Sequence, residues 1–429
     1  MTSRPASLDP LAGGPLASAD LDALVEDVVA RTPFVDIHTH LFPSALPTLS
    51  LWGIDDLLTY HYLEAELFRA SAVRPQAYWA LPKSERADLV WRTLFVDQTP
   101  LSEAARGVVS ALHMLGLDPA SPCLGPLREF FRDLSLPDHV SQVFRLSGIS
   151  SVVMTNDPLD AAEMAAWDQA RETDARFHTA LRLDRILNEW ASHHGCLAAQ
   201  GYDVTADPGE ATLAELRRFL TRWAQRFNPR YMAVSLPDSF DFPRDDVRSR
   251  LLTGAVLPAC RDLQLPIALM IGVRRQVNPA LRLAGDASGR ADLRAVAALC
   301  AQCPDNRFLV SVLSRENQHE LCVYARKFAN LLPFGCWWFV SSASLVAEIT
   351  TERLEMLGTS FIPQHSDARV LEQLLYKWGD TRKSLAPILA DAYKRVAENG
   401  RPITRDEVVR DVTRLFRTNF ERWTAPPSA

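Results

Sequence analysis

Short, near-continuously apolar runs recur along the chain, each followed by a stretch with helical periodicity, and this alternation constrains the fold more than any other feature. The runs are FVDIHTH (34–40), ISSVVMT (149–155), FHTALRL (177–183), YMAVSL (231–236), PIALMIG (266–272), RFLVSVL (307–313), CWWFVS (336–341) and TSFIPQHSD (359–367). Strands buried on both faces read as continuous apolar runs, whereas a sheet with one wet face alternates. Between the runs lie amphipathic segments such as EATLAELRRFLTRWAQRF and RADLRAVAALCAQ. Strand–helix alternation makes a parallel sheet, and eight such units predict a closed (β/α)8 TIM barrel. The spacing breaks once. Roughly a hundred residues separate the first two runs, and they include LWGIDDLLTYHYLEAELFRA, KSERADLVWRTLFV, LSEAARGVVSALHML and PLREFFRDL, all of helical period. This predicts a helical insertion over about 55–145, after strand one, at the end of the barrel where loops build active sites. Residues 1–33 read as a leader and a helix, and 34–424 as the barrel. The leader lacks an apolar core with a cleavage site, so no signal peptide is expected.

Composition narrows the function classes. The chain has 429 residues, 47% of them hydrophobic, which is ample for a large core. A net charge of −6 offers no basic surface for nucleic acid or for an acidic membrane. No run of eighteen apolar residues is present, so no membrane span is expected. The seven cysteines are scattered and odd in number, as in a reducing, cytoplasmic setting. Cys300 and Cys303 form a lone CxxC after a helical run, without the second pair that a zinc knuckle needs.

His38-Thr39-His40 is the sharpest chemical feature. It ends an apolar strand, where residues i and i+2 share a face, so both imidazoles are expected to leave the strand's C-terminal end together. Two co-facing imidazoles suit a zinc-like ion, and in a barrel this end is the mouth. Asp367 closes the eighth run. Strands one and eight are neighbours when a barrel closes, so Asp367 is expected opposite the two histidines. There a carboxylate can bind a metal or move a proton. SDAR before VLEQLLYKW also fits a helix cap. His365, two residues earlier, is a candidate auxiliary ligand.

Several motifs, in order over roughly residues 34 to 390, resemble the uronate isomerase (glucuronate isomerase) family of the amidohydrolase superfamily. DIHTHLFP looks like the family's DxHxHL segment. WGIDDLLTYHYLEAELFR resembles its segment with a DHY core. TNDPLD is similar to TTDDP, and LRLD to FRPD. IGVRRQVNPALRLAGDASGRADL resembles its IG-x-x-R-x-x-N run. GCWWF matches GxxWWF, and SDAR matches TDSR. The resemblance implies a barrel of the metal-dependent hydrolase type that interconverts an aldehydo-uronate and a ketouronate. It implies one divalent metal on His38, His40 and Asp367, with zinc favoured by two imidazoles and a carboxylate. It further implies catalytic work for Asp367, Tyr62 and Arg369, with Arg182, Arg275, Trp337, Trp338 and Asp238 at the substrate. His61 matches the histidine of the DHY core.

The residue types suit that reaction. Moving a carbonyl between C1 and C2 requires removing the proton beside it, and a metal on the two oxygens stabilises the enediolate. Arginine forks suit a sugar-acid carboxylate. The chain also departs from the family pattern. Met270 stands where QLH has its histidine, and Ser239 replaces that of SDH. Glu66 takes an arginine position, although Arg69 survives, and WWFND reads WWFVS. A rewritten pocket keeps a second reading open, a metal-dependent hydrolase or decarboxylase of the same superfamily on a related carboxylate. A third is a non-catalytic, sugar-acid-binding barrel. The expected partner is a small sugar acid, with neither nucleic acid nor membrane, and a homo-oligomer is compatible with the sequence.

Overall fold

The computed structural model describes residues 18–170 and 174–426. The first seventeen residues of the stretch read as a leader and helix lie outside them. Seven parallel strands form most of the barrel wall: β1 (Phe34–Thr39), β2 (Ile149–Asn156), β3 (Phe177–Arg182), β4 (Met232–Pro237), β5 (Ile267–Arg274), β7 (Phe308–Val312) and β8 (Leu331–Pro333). A two-residue β6 (Ala287–Ser288) pairs antiparallel with β5 and lies off this path. The first six predicted runs fall on β1 to β5 and β7.

The last two runs need correction. CWWFVS is not a strand. The seventh strand of the wall is the shorter LLP at 331–333, and Gly335 and Trp338, at φ 66° and 46°, turn the chain away after it. Only Trp338–Val340 is regular, as one 3-10 turn. The final run is likewise irregular, with Pro363 inside it, yet it closes the barrel. On one side Ile362 pairs in parallel with Phe334, its N–H donating to Pro333 O at 3.0 Å. On the other, Asp367 N donates to His38 O at 3.1 Å and His40 N to Ala368 O at 2.8 Å. Residues 361–368 thus occupy the place between β8 and β1.

The barrel is filled by side chains, including Val35, Ile37, Val153, Ala180, Tyr231, Met270, Leu309, Leu332 and Trp337. The region between β1 and β2 is helical from Ile54 to Ser147, in eight short segments. Its final helix, Leu136–Ser147, shows how local sequence sets such boundaries. Ser135 accepts from Asp138 N at the N-cap, a proline lies in the first turn, and Gly148 ends the helix in the left-handed region one residue before β2. These helices share one apolar cluster with β1, β2 and the long helix Gln373–Glu398. Two polar ties, one buried and one half-buried, fasten the junction. Glu372 accepts from His139 Nε2 at 2.7 Å and Gly53 N at 2.9 Å. Arg382 donates to the carbonyls of Val29, Thr32, Ser147 and Gly148, binding the helix before β1 to the segment before β2. Cys300 and Cys303 are free and sit at the end of Arg294–Gln302. No helix among the described residues is long and apolar enough to cross a membrane.

Candidate metal centre and the adjoining cavity

Strict alternation along β1 would send His38 away from the barrel interior, because Val35 and Ile37 already face it. The register against β2 shifts between Asp36 and Thr39. Such a bulge re-aims the side chains that follow, and His38 and His40 both reach the mouth. Asp36, buried one turn of the pleat earlier, fixes this stretch. It accepts from Ser366 N at 3.1 Å and Trp378 Nε1 at 2.9 Å. Asp367 arrives on the closing segment with φ 51°, a left-handed conformation that aspartate tolerates better than most residues. The helix after it begins only at Gln373, with Glu372 at its N-cap, so Asp367 is not the cap that its sequence context allowed.

His38, His40 and Asp367 offer ligand atoms that all lie within 4.8 Å of one another, a group able to hold a metal ion. Asp367 Oδ1 is 3.1 Å from His40 Nε2 and 3.7 Å from His38 Nε2. The opposite ring nitrogens decide what those Nε2 atoms can do. Tyr231 donates its hydroxyl proton to Ile37 O at 2.6 Å, so it accepts from His38 Nδ1 at 3.2 Å. Thr155 donates to Thr39 O at 3.1 Å, so it accepts from His40 Nδ1 at 2.8 Å. Both imidazoles therefore carry their proton on Nδ1 and turn bare Nε2 lone pairs toward a carboxylate. Burial, the largest influence, pushes the two rings' pKa values down to about 3 and about 4, so they are neutral. Burial acts to raise the Asp367 carboxyl, but the His40 contact and the neighbouring rings outweigh it and keep it ionised. Three acceptors facing one another repel unless a cation lies among them, and this donor set fits a divalent ion.

His365 is not in that group. Its ring is buried against His38 and Phe334, and neither nitrogen has a partner. Gly335 makes room for it, since a Cβ there would lie 1.9 Å from the ring.

The insertion meets the mouth through Tyr60, His61 and Tyr62. Their rings pack on one another, and His61 lies 5.5 Å from Trp338. Burial is the main cause of the raised Tyr62 pKa, and the Asp367 charge adds to it, so Tyr62 is a neutral phenol within electrostatic reach of Asp367. Lys377, buried and bonded to Glu103 at 2.9 Å and Ser341 at 3.2 Å, lies over the Tyr62 ring. Glu66, at the altered arginine position, accepts from Ser102 at the start of Glu103–Met114 and serves the packing of the insertion.

Beside the centre opens a cavity of about 590 Å³, the size of a small-ligand site. Arg182, Arg185, Arg248, Arg275 and Arg369 are among its lining residues. Arg182 is held by Asp184 at 3.0 and 3.2 Å, and Arg275 by Asp286 at 2.6 Å. Of the other sequence candidates, Trp337 is buried in the barrel interior and Trp338 edges the insertion. Asp238 is not among the lining residues and accepts from Arg274 at 2.5 Å. Met270 packs in the interior and Ser239 is exposed. Sequence reasoning missed Tyr231, Thr155, Asp184, Arg185, Arg248 and Lys377. The strand ends carrying Tyr231 and Thr155 were a usable signal, but their partners are distant in sequence.

No protein-family model and no curated protein sequence matches the chain. Solved structures do. A uronate isomerase from Bacillus halodurans C-125 is 47% identical, over 96% of this chain and 97% of that one, with a TM-score of 0.93. A uronate isomerase from Thermotoga maritima is 15% identical over 96% of this chain and 98% of that one, with a TM-score of 0.75. A glucuronate isomerase from Caulobacter crescentus is 16% identical over 97% and 95%, also with a TM-score of 0.75. The latter two share the fold. The first carries identity along nearly the whole length of both chains, and by it this chain belongs to the uronate isomerase family.

Proposed function

We propose that the protein is a metal-dependent aldose–ketose isomerase that interconverts an aldehydo-hexuronate and the corresponding ketouronate. The observation that carries this reading is the convergence of two neutral imidazoles and an ionised carboxylate beside an arginine-lined cavity. Zinc is the proposed ion, since two imidazole nitrogens and one carboxylate oxygen are a zinc-like set with room for substrate oxygens. Bound there, it would polarise the carbonyl and neighbouring hydroxyl of the substrate. The chain's own residues handle the proton. Asp367 takes it from C2 of the aldose, the C2–H pair becomes the C1–C2 double bond of an enediol and the C1–O π pair moves onto O1. Asp367 then returns the proton to C1 as the O2–H pair becomes the C2 carbonyl and the O2 proton passes to O1. Tyr62, held neutral by burial, donates a hydrogen bond to an oxygen of that enediol. Arg369, two residues from Asp367, offsets the negative charge that develops. Arg182 and Arg275, each already paired with a carboxylate, orient hydroxyls, and Trp337 and Trp338 wall the site. The insertion excludes water from the mouth and brings Tyr62 to it.

The test is to incubate holoenzyme with a panel of hexuronates in D₂O and follow the products by NMR. Aldose-to-ketose conversion with deuterium gain is expected. Asp367→Asn should slow it by roughly 10²-fold or more, because it removes the base. Cleavage of an amide, lactone or carboxylate substrate without proton exchange on any sugar acid would replace this reading with the hydrolase or decarboxylase one.

A further inference from the structure

The last described helix, Asn419–Thr424, lies under the barrel, at the end opposite the mouth. Just before it, Phe416 stacks on Phe34 at the start of β1, with ring centroids 3.7 Å apart. Arg307, the residue ahead of β7, clamps the helix from outside. Its guanidinium donates to Trp423 O at 2.7 Å, to Ala425 O at 2.5 Å, and to Gln264 O, ahead of β5, at 2.5 Å. Phe34, Arg307 and Gln264 all sit where strands begin. That end of a barrel ordinarily serves stability, while the chemistry belongs to the other. Two side chains of this helix nevertheless lead to the candidate metal centre.

Phe420 is the first. It is buried in the cluster of side chains that fills the barrel interior, and its ring meets that of Tyr231 edge-on at 6.1 Å. Tyr231 is 1% exposed, and its hydroxyl is the group that donates to Ile37 O and accepts from His38 Nδ1. One side chain thus joins the barrel floor to a ring of the candidate centre. The hydroxyl stays in place only while the ring is packed on every side, because a ring that loses a neighbour loses contacts and can shift. Asn419 is the second. Its side-chain amide donates to Thr359 O at 2.6 Å and to Phe361 O at 2.8 Å. Those carbonyls open the closing segment that carries Asp367. This segment pairs with β8 only through the bridge at Ile362, and Pro363 removes a further donor. The two bonds from Asn419 anchor the segment where a continuous ladder would otherwise do so.

We propose that the helix Asn419–Thr424 sets the metal centre from the far end of the barrel: Phe420 positions the His38 imidazole through Tyr231, and Asn419 positions Asp367 through the closing segment. Both are positioning residues, and the proposal rests on the metal assignment above.

The experiment compares full-length wild type with Phe420→Ala, Phe420→Leu and Asn419→Ala, and takes Phe219→Ala as a control. Phe219 is equally buried, but in the outer layer against Tyr202 and Trp223. Zinc affinity is read by chelator competition. The His38 tautomer is read by proton–nitrogen NMR of the metal-free protein, its signal assigned by loss in His38→Gln. Wild type should carry the His38 proton on Nδ1. Phe420→Ala should bind zinc about 10-fold more weakly, at the lower end of what loss of an outer partner costs, and should show a second His38 population protonated on Nε2. Phe420→Leu, which keeps most of the volume, should show part of both changes, and it decides the question if the alanine variant does not fold. Asn419→Ala should weaken zinc binding to a similar extent with the His38 signal unchanged, because its path leads to Asp367. Phe219→Ala should move neither reading. Wild-type behaviour in the Phe420 variants, or equal changes in Phe219→Ala, would overturn the role of Phe420. Wild-type affinity in Asn419→Ala would overturn that of Asn419. If wild type itself holds no zinc, the metal assignment falls and the Asn419 arm falls with it. The positioning of His38 then stands or falls on the tautomer in the metal-free Phe420 variants alone.

Discussion

Each histidine of the candidate centre faces a hydroxyl whose own proton is already committed to a carbonyl, and that arrangement chooses the tautomer. Tyr231 does this for His38 and Thr155 for His40. Such outer partners orient the rings and raise their basicity as ligands. Tyr231→Phe and Thr155→Val should each weaken zinc retention by about 10- to 100-fold in a chelator competition, with little change in the folded spectrum. Unchanged retention in both would mean that the ring tautomers are set some other way. Loss of both ligand rings in the double variant His38→Ala, His40→Ala should remove the ion altogether, and full occupancy by elemental analysis would refute the assignment. The convergence of His38, His40 and Asp367 was legible in the sequence, since a strand-end HxH and an aspartate closing the last run meet when a barrel closes. Their supports were not, because Tyr231 and Thr155 look like ordinary strand residues until β2 stands beside β1 and Tyr231 reaches across the barrel interior. The partners of the cavity arginines were hidden for the same reason. Asp286 is separated from Arg275 by an excursion of ten residues, and Leu187 from Arg248 by sixty.

Elements show where the apolar pattern misleads. CWWFVS is more apolar than LLP, yet the strand is LLP, because apolar content reports burial and not backbone direction. Gly335 must be glycine at this bend. Its φ is positive, and a Cβ would enter the His365 ring. The closing segment hides in another way, since Pro363 removes a donor from what would otherwise be a strand. The insertion was visible from helical period alone, but its fastening to the barrel was not. That fastening depends on Glu372 and His139, both fully buried. Glu372→Leu should leave His139 and the Gly53 N–H without an acceptor and cost about 3 kcal/mol of stability, measurable as a lower denaturation midpoint. A variant as stable as wild type would show that packing alone holds the insertion in place.

At the scale of the whole molecule, two buried carboxyls outside the centre tie stability to pH. Burial, the largest influence, raises Glu64 and Glu163 to about 7, against the 4.5 of an exposed glutamate. Between pH 4.5 and 7 the unfolded chain has released these protons while the folded chain still holds them. The stability they contribute is complete below pH 4.5 and declines as pH rises toward 7. The double variant Glu64→Gln, Glu163→Gln should therefore show a flatter denaturation midpoint from pH 5 to 7 than wild type, and an unchanged slope would exclude these two groups as its source. The order of the wall has a consequence for a chain emerging from the ribosome. His38 and His40 appear on the first strand, whereas Asp367 comes only with the segment that seals the ring. A nascent chain halted before residue 367 holds two of its three donors and can grip an ion only weakly. Under the proposed assignment, tight capture of the ion would coincide with the last seam of the barrel closing, and the ion would act as a timestamp of completed folding.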